Sequence, residues 1–338
     1  MLGWLHQRVN MCPREPHATV VEYAPHPGQF LNPLSEVRSM ATSSSSAQDS
    51  GTRSQFTIRR ATPQDAESCG RICFDAFTGI SKEHNFPPDF PSAEVAIGLL
   101  SIVFSHPGFF CAVAEENGKV VGSNCMDERD SIAGIGPITI DPQTQNRAVG
   151  RELMRAVLDR AAEKHFSGVR LVQATFHNRS LSLYAKLGFV AREPLSCMQG
   201  PPIGQIMKGY TVRPATASDL EACSALCDRV HGHERTGQLK DAIGQSTAVV
   251  AEHDGRICAY ASQLAFFGHA VAESNEDLQA LISAALGFEG PGILVPTRNS
   301  GLFRWCLENG LRVVQPMTLM TLGLYNEPAG AYLPSILY

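Results

Sequence analysis

The sequence predicts an α/β fold with a mixed sheet, present twice along the chain. Two observations lead there. First, short stretches of text recur in the same order. Phe56-Thr-Ile-Arg-Arg60 followed by Ala-Thr-Pro-Gln-Asp65 returns as Tyr210-Thr-Val-Arg-Pro214 followed by Ala-Thr-Ala-Ser-Asp219. Ala114-Glu-Glu-Asn-Gly-Lys-Val120 returns as Ala251-Glu-His-Asp-Gly-Arg-Ile257, and Gly188-Phe…Pro194…Met198 as Gly310-Leu…Pro316…Met320. Matches kept in order indicate two copies of one unit. Second, segments of strand period alternate with segments of helical period, which marks an α/β class. The Asn-Gly and Asp-Gly pairs inside the second match predict tight hairpins, so part of each sheet is antiparallel.

The elements follow in order. Residues 1–54 are rich in Pro, His, Ser and Gln, include the run Ser43–Ser46, and show no sustained period. They are expected to be disordered. They lack the start of a secretory signal, and Glu15, Glu22 and Glu36 break the acid-poor pattern of a transit peptide. The first copy is expected over 55–199. It comprises a strand at Phe56, a helix holding Cys69, Ile72, Cys73 and Phe77, and a second helix near Ala93–Phe104. A hairpin around Gly118, a strand Gly136–Ile140, a long helix from Val149 to Lys164, a strand Val169–Thr175, a helix Ser180–Leu187 and a last strand complete it. Residues 200–209 begin Gly200-Pro-Pro-Ile-Gly204 and read as a linker. The second copy is expected over 210–338.

Bulk composition narrows the function. Net charge is −5, which gives no electrostatic case for a nucleic-acid partner, and no apolar run approaches the ~18 residues of a membrane span. The ten cysteines form no Cys-x-x-Cys pair and no zinc-spaced group. Cys69/Cys73 and Cys223/Cys227 fall on single helix faces and read as buried apolar residues. Scattered unpaired thiols favour a reducing compartment, so a cytoplasmic location is expected.

The chemistry-bearing segment is Gln145-Asn-Arg-Ala-Val-Gly150. It follows Ile138-Thr-Ile-Asp-Pro142, a strand ended by proline, and precedes apolar residues at helical spacing. A strand that passes through small residues into a helix aims free backbone N–H groups, and the positive end of the helix dipole, at one point. Pyrophosphate binds there without a lysine, and Arg147 or Arg151 can add charge-assisted contacts.

This segment resembles the acyl-CoA signature of the GNAT superfamily of N-acetyltransferases, Gln/Arg-x-x-Gly-x-Gly/Ala, with Ala148 in place of the first glycine. Asn178-Arg-Ser-Leu-Ser-Leu-Tyr184-Ala-Lys-Leu-Gly188-Phe189 resembles the family's Asn-x-x-x-x-x-Tyr-x-x-x-Gly-Phe segment. The resemblance covers Phe56–Met198 well and Tyr210–Tyr338 only as a worn copy. It implies two tandem GNAT-like domains, with acetyl-CoA as acyl donor and no metal. Transfer would go directly to a primary amine of a small metabolite through a ternary complex.

By that resemblance, Ile138, Thr139 and Ile140 would present backbone groups to the pantetheine arm. Gln145, Asn146, Arg147, Ala148, Val149, Gly150 and Arg151 would hold the pyrophosphate. Asn178 would orient the cofactor, with a helix N-cap as its competing role. Tyr184 is chosen as general acid, since a phenol with pKa ~10 is protonated at neutral pH and can give its proton to the leaving thiolate. The strand before the loop carries no carboxylate. Glu128, ahead of its neighbour Asp127, is therefore the leading candidate for the base, against a solvated charged turn. His84 and Asp89 sit where the family shapes its acceptor site. In the second copy no Gln-x-x-Gly-x-Gly occurs, Glu273 lies near the corresponding helix start, and Cys306 stands where Tyr184 does. That half is expected not to catalyse. An acyl-CoA-binding regulatory or scaffolding protein without turnover is the alternative. A monomer or homodimer is expected.

Overall fold

The structure, a computed structural model, describes residues 56–144 and 148–338. The expected disorder of residues 1–54 and the loop residues Gln145, Asn146 and Arg147 lie outside the described residues. The first repeat runs β1 (Phe56–Arg60), α1 (Ala66–Glu83), α2 (Ala93–Ser105), β2 (Phe109–Glu116), β3 (Lys119–Asp127), β4 (Ile132–Ile135), β5 (Thr139–Ile140), α3 (Val149–Glu163), β6 (Gly168–Ala174), α4 (Asn178–Lys186) and β7 (Val190–Gln199). The second runs β8 (Tyr210–Pro214), α5 (Leu220–His231), α6 (Thr236–Gly244), β9 (Val249–His253), β10 (Arg256–Ala261), β11 (Ala270–Ala272), α7 (Asn275–Ala284), β12 (Ile293–Pro296), α8 (Ser300–Glu308), β13 (Arg312–Gly323) and β14 (Ala331–Leu333). Irregular chain joins β7 to β8.

The recurring text folds the same way because it carries the same local contacts. The Thr62 amide donates to Asp65 Oδ2 at 2.8 Å, and the Thr216 amide to Asp219 Oδ2 at 2.7 Å. Arg59 grips Asp65 and Arg213 grips Asp219 through paired guanidinium hydrogen bonds. The arginine lowers the carboxyl pKa in both, to about 2 for Asp65 and further for Asp219. The hairpin turns also repeat. Asn117 and Gly118 have φ of 52° and 76°, and Asp254 and Gly255 have 50° and 73°, both central residues being left-handed as a two-residue hairpin requires. Cys69, Cys73, Cys223 and Cys227 are buried in the helix cores.

The repeats do not keep their strands to themselves. One sheet has the order β1-β2-β3-β4-β6-β13-β7-β12, with β5 paired to β3, and the other the order β14-β11-β10-β9-β8. β13 of the second repeat lies between β6 and β7 of the first, pairing Met317 with Ala174 and Pro316 with Ser196. β7 in turn pairs with β12, Ile293 against Met198. Each repeat's last long strand therefore lies beside the other's preceding strand. The two repeats thus exchange strands.

A second difference lies in the strand expected at Gly136–Ile140. It breaks: β4 ends at Ile135 and β5 begins at Thr139. Pro137 has no N–H to give to a ladder. The break ends the parallel pairing of β4 with β6 at Gly134–Arg170, and the two strands part beyond it.

Candidate active site

The parting strands open a cleft of about 910 Å3. Ile138, Thr139 and Ile140 line one side, and Leu171–Ala174 of β6 the other. Thr139 turns its hydroxyl into the sheet towards Ser123 (3.4 Å), so its contribution to the wall is mainly backbone. Unpaired strand edges facing each other across a gap offer N–H and C=O groups to an extended amide-bearing ligand.

Alternation along β6 divides the cleft into two faces. Val169 and Leu171 pack with α3, α4 and Tyr184, whereas Val172 and the half-buried Ala174 pack with Phe266 and Met317. The odd-numbered face looks to the α3 and α4 helices, and the even-numbered face to the second repeat.

On the odd face, α3 starts at the cleft. Its N-cap Ala148 has φ 65° and ψ 1°, a left-handed conformation that glycine adopts freely and alanine at a cost of about 1–2 kcal/mol. The family's glycine at this place is thus replaced by the smallest residue with a Cβ, and the backbone shape is kept. Ala148 has no polar side chain to cap the helix, so among the described residues the first turn stays available to an anion. Ala148, Val149, Gly150 and Arg151 all line the cleft. A Cβ on Gly150 would stand 2.9 Å from Ile140 Cδ1, and glycine lets loop and strand close up. Arg151, Arg155 and Arg160 follow one another along α3, but two of them are spoken for. Arg155 pairs with Glu152 and Arg160 with Glu128 and Glu163, leaving Arg151 as the one of them in the cleft.

Tyr184 reaches the same space from α4. It is 5% exposed, and burial pushes its pKa up to about 12, with a hydrogen bond to Ser180 opposing the rise. Ser180 also contacts His177 Nδ1. Burial, then the charge of Arg179, lowers the His177 pKa, so the ring is neutral. Ser180 and His177 are site residues that sequence reading missed. The i, i+4 spacing of Ser180 and Tyr184 on a helix was the available signal. Asn178 lines the cleft as the first residue of α4, and the N-cap is His177, not Asn178. Gln173, 6% exposed, also lines the cleft; both its side-chain polar atoms lack a partner among the described residues.

Two expected site residues are elsewhere. Glu128 does not line the cleft. Its carboxylate takes Arg160 Nε at 2.7 Å and Nη2 at 3.2 Å. Arg160 is eleven residues into α3, roughly 16 Å along the axis from the N-terminus that faces the cleft. Its neighbours Asp127 and Asp130 tie the repeats together. Asp127 binds Arg129 and Gln238, and Asp130 accepts the Gly237 amide at 2.7 Å and the Gln238 amide at 3.3 Å in the first turn of α6. His84 is not in the cleft wall either. Its Nδ1 meets the Ile80 carbonyl at 3.0 Å, closing the end of α1, and its ring tilts on Phe176 at 5.2 Å.

Asp89 does line the cleft. Gln315 Nε2, from β13 of the second repeat, donates to its Oδ1 at 2.8 Å. Burial raises the Asp89 pKa and this hydrogen bond opposes the rise.

The equivalent places in the second repeat are closed. Ser274 caps α7, accepting the Asp277 amide at 3.2 Å, so a side chain already occupies that helix start. Glu273 beside it is bridged by Arg229 and Arg256. Cys306 is fully buried, and burial pushes its thiol up to about 12, far from a reactive thiolate. Among the described residues no His, Cys, Asp or Glu cluster fits a metal ion. No described helix is long and apolar enough to cross a membrane.

Comparison with known proteins agrees with this geometry. The chain is 26% identical over 147 residues to an uncharacterized N-acetyltransferase of Methanocaldococcus jannaschii, a match covering 41% of this chain and 62% of that relative. A putative acetyltransferase from Pyrococcus horikoshii shares the fold over 85% of this chain and 98% of its own, with TM-score 0.65 and 19% identity. A GCN5-related N-acetyltransferase from Sphaerobacter thermophilus shares it over 82% and 98%, with TM-score 0.54 and 14% identity. Residues 77–189 match the model of the acetyltransferase (GNAT) family, and the chain carries a GNAT acetyltransferase domain.

Proposed function

We propose that the protein is an acetyl-CoA-dependent N-acetyltransferase with one active site per chain, acting on a primary amine of a small metabolite. The carrying observation is that the open N-terminus of α3, the parted strands and buried Tyr184 share one cleft. Pyrophosphate fits the α3 terminus with Arg151 and the loop before it. The pantetheine arm, which carries two amides, fits the free strand edges. Asn178 and Gln173 stand on the same face.

Transfer is direct. The amine nitrogen attacks the thioester carbonyl carbon, the oxyanion is held by a backbone N–H near Ile138, and the C–S bond then breaks. Tyr184 gives its proton to the departing thiolate, and the proton the nitrogen loses on acylation returns to the phenolate, so amine and thioester become amide and thiol with the tyrosine restored. Burial acts on both partners: it keeps the proton on Tyr184, and it also raises the basicity of a thiolate in the same cleft. The Ser180 hydroxyl can donate to the phenolate as the proton leaves. The unpaired, buried thiols favour a reducing compartment, and we place the protein in the cytoplasm as a monomer or homodimer.

The test is incubation of the full chain with acetyl-CoA and a library of primary amines, reading free thiol. The expected result is amine-dependent thiol release that Tyr184→Phe suppresses. If acetyl-CoA binds, no amine gives turnover and Tyr184→Phe changes nothing, the protein is an acyl-CoA-binding regulator and not an enzyme.

A further inference from the structure

The even-numbered face of β6 is walled largely by the second repeat. Phe266, Phe267, Met317 and Ile336 come from that half and line the same cleft as Phe77 and Phe90 of the first. Charge is uneven along the cleft wall. The cationic lining residues Arg151, Arg179 and Lys186 belong to α3 and α4 on the cofactor face. The anionic ones, Glu83 and Asp89, belong to the end of α1 and the loop after it. Glu83 is exposed, whereas Asp89 is half-buried.

We propose that this face is the acceptor chamber, that it takes a primary amine carried on an apolar body of about aryl size, and that Asp89, oriented by Gln315 of the second repeat, receives the ammonium. The proposal deepens the N-acetyltransferase reading and rests on it for the name acceptor. A carboxylate in apolar surroundings needs partners. Among the described residues Gln315 is its hydrogen-bond donor, and it engages Oδ1 alone. No described cation forms an ion pair with Asp89. An incoming ammonium supplies the missing charge at a point where Phe77, Phe90, Phe266 and Met317 offer apolar contact. A polyol or highly charged amine would leave its polar groups unpaired against Phe266 and Met317. Gln315 is a positioning residue. It is 1% exposed, on the strand inserted between β6 and β7, so the second repeat supplies both the apolar wall and the group that holds the acid. The titratable neighbours of Asp89 are the thiols of Cys73 and Cys197, both pushed up by burial and so uncharged.

The experiment is calorimetric titration of the full chain saturated with CoA, using 2-phenylethylamine, its neutral isostere 2-phenylethanol, and ethanolamine. Phenylethylamine should bind at least about tenfold more tightly than either of the others. Asp89→Asn should weaken it by about tenfold or more with acetyl-CoA affinity unchanged. Phe266→Ala should weaken phenylethylamine and leave ethanolamine as it was. Gln315→Leu removes a donor that favours the carboxylate, so the pH below which amine binding is lost should move upward. Equal binding of phenylethanol, or of ethanolamine, by the unaltered protein overturns the proposal, as does an Asp89→Asn protein of undiminished affinity. Failure of the two readings is distinguishable. Amine that binds through Asp89 without thiol release removes the enzyme reading alone. Turnover indifferent to Asp89 and to the apolar body removes this one alone.

Discussion

Ala148 is the position at which the loop departs from the family pattern, and its geometry gives a quantitative prediction. With φ 65° and ψ 1°, its Cβ crowds the following carbonyl at a cost of about 1–2 kcal/mol. Ala148→Gly removes that strain. It also loosens the unfolded chain, which takes back about 0.4–1 kcal/mol. The expected net effect is a stabilisation of about 0.5–1 kcal/mol, roughly a 1–3 °C rise in Tm for a chain of this size. Because the backbone already has the shape glycine prefers, the first turn of α3 keeps its direction. Acetyl-CoA affinity should be unchanged or slightly higher. The assay is chemical denaturation with and without acetyl-CoA, together with calorimetric titration. An Ala148→Gly protein less stable by about 1 kcal/mol would falsify the reasoning, since it would mean that the methyl group packs favourably and the left-handed turn is not strained.

Further outcomes follow from the same contacts. Tyr184→Phe should lower kcat by about 10²–10⁴-fold and leave acetyl-CoA affinity within about twofold, read by steady-state kinetics and titration. With its pKa near 12, Tyr184 should contribute no alkaline loss of kcat below about pH 10, and a decline traced to it at pH 9 would contradict its burial. Gly292 has φ 126°, and a Cβ there would run into the Met198 carbonyl beside β12; Gly292→Ala should destabilise by at least about 2 kcal/mol in a urea titration. Burial lowers the pKa of His231, His233 and His269, that of His233 to about 4. Below the unfolded value near 6.5 the unfolded chain binds more protons, so folding free energy should fall as pH drops from about 6.5 towards 4, and a flat profile there would exclude these rings as the cause.

Much of this was legible in the sequence, for identifiable reasons. The duplication could be seen because turn chemistry and the Arg–Asp clasp are local: Thr62 and Asp65, or Asn117 and Gly118, need only their neighbours. The start of α3 at Val149 could be seen for the same reason. Asp89 lies at the cleft. Glu128 does not, because position in the chain shows that a carboxylate precedes a strand but not that Arg160, 32 residues on, will claim it. His84 likewise lies near the site in sequence and turns back on its own helix. Gln315 was invisible, since it is 226 residues from the aspartate it holds. The exchange of β7 and β13 was hidden too. Both strands have the same pattern and either could satisfy β6, and only the three-dimensional closure of both sheets chooses between them.

That exchange has a consequence for how the chain is made. β6 ends at Ala174, and the residue that pairs with it is Met317. At synthesis rates of about 5–20 residues per second, β6 waits roughly 7–30 s for its neighbour to leave the ribosome. During that interval β6 and β7 present open edges of apolar sequence, and each is the natural partner of the strand from a second nascent chain as much as of its own. Crowded synthesis should therefore favour intertwined dimers in which β13 crosses between molecules, and slower initiation should favour the closed monomer.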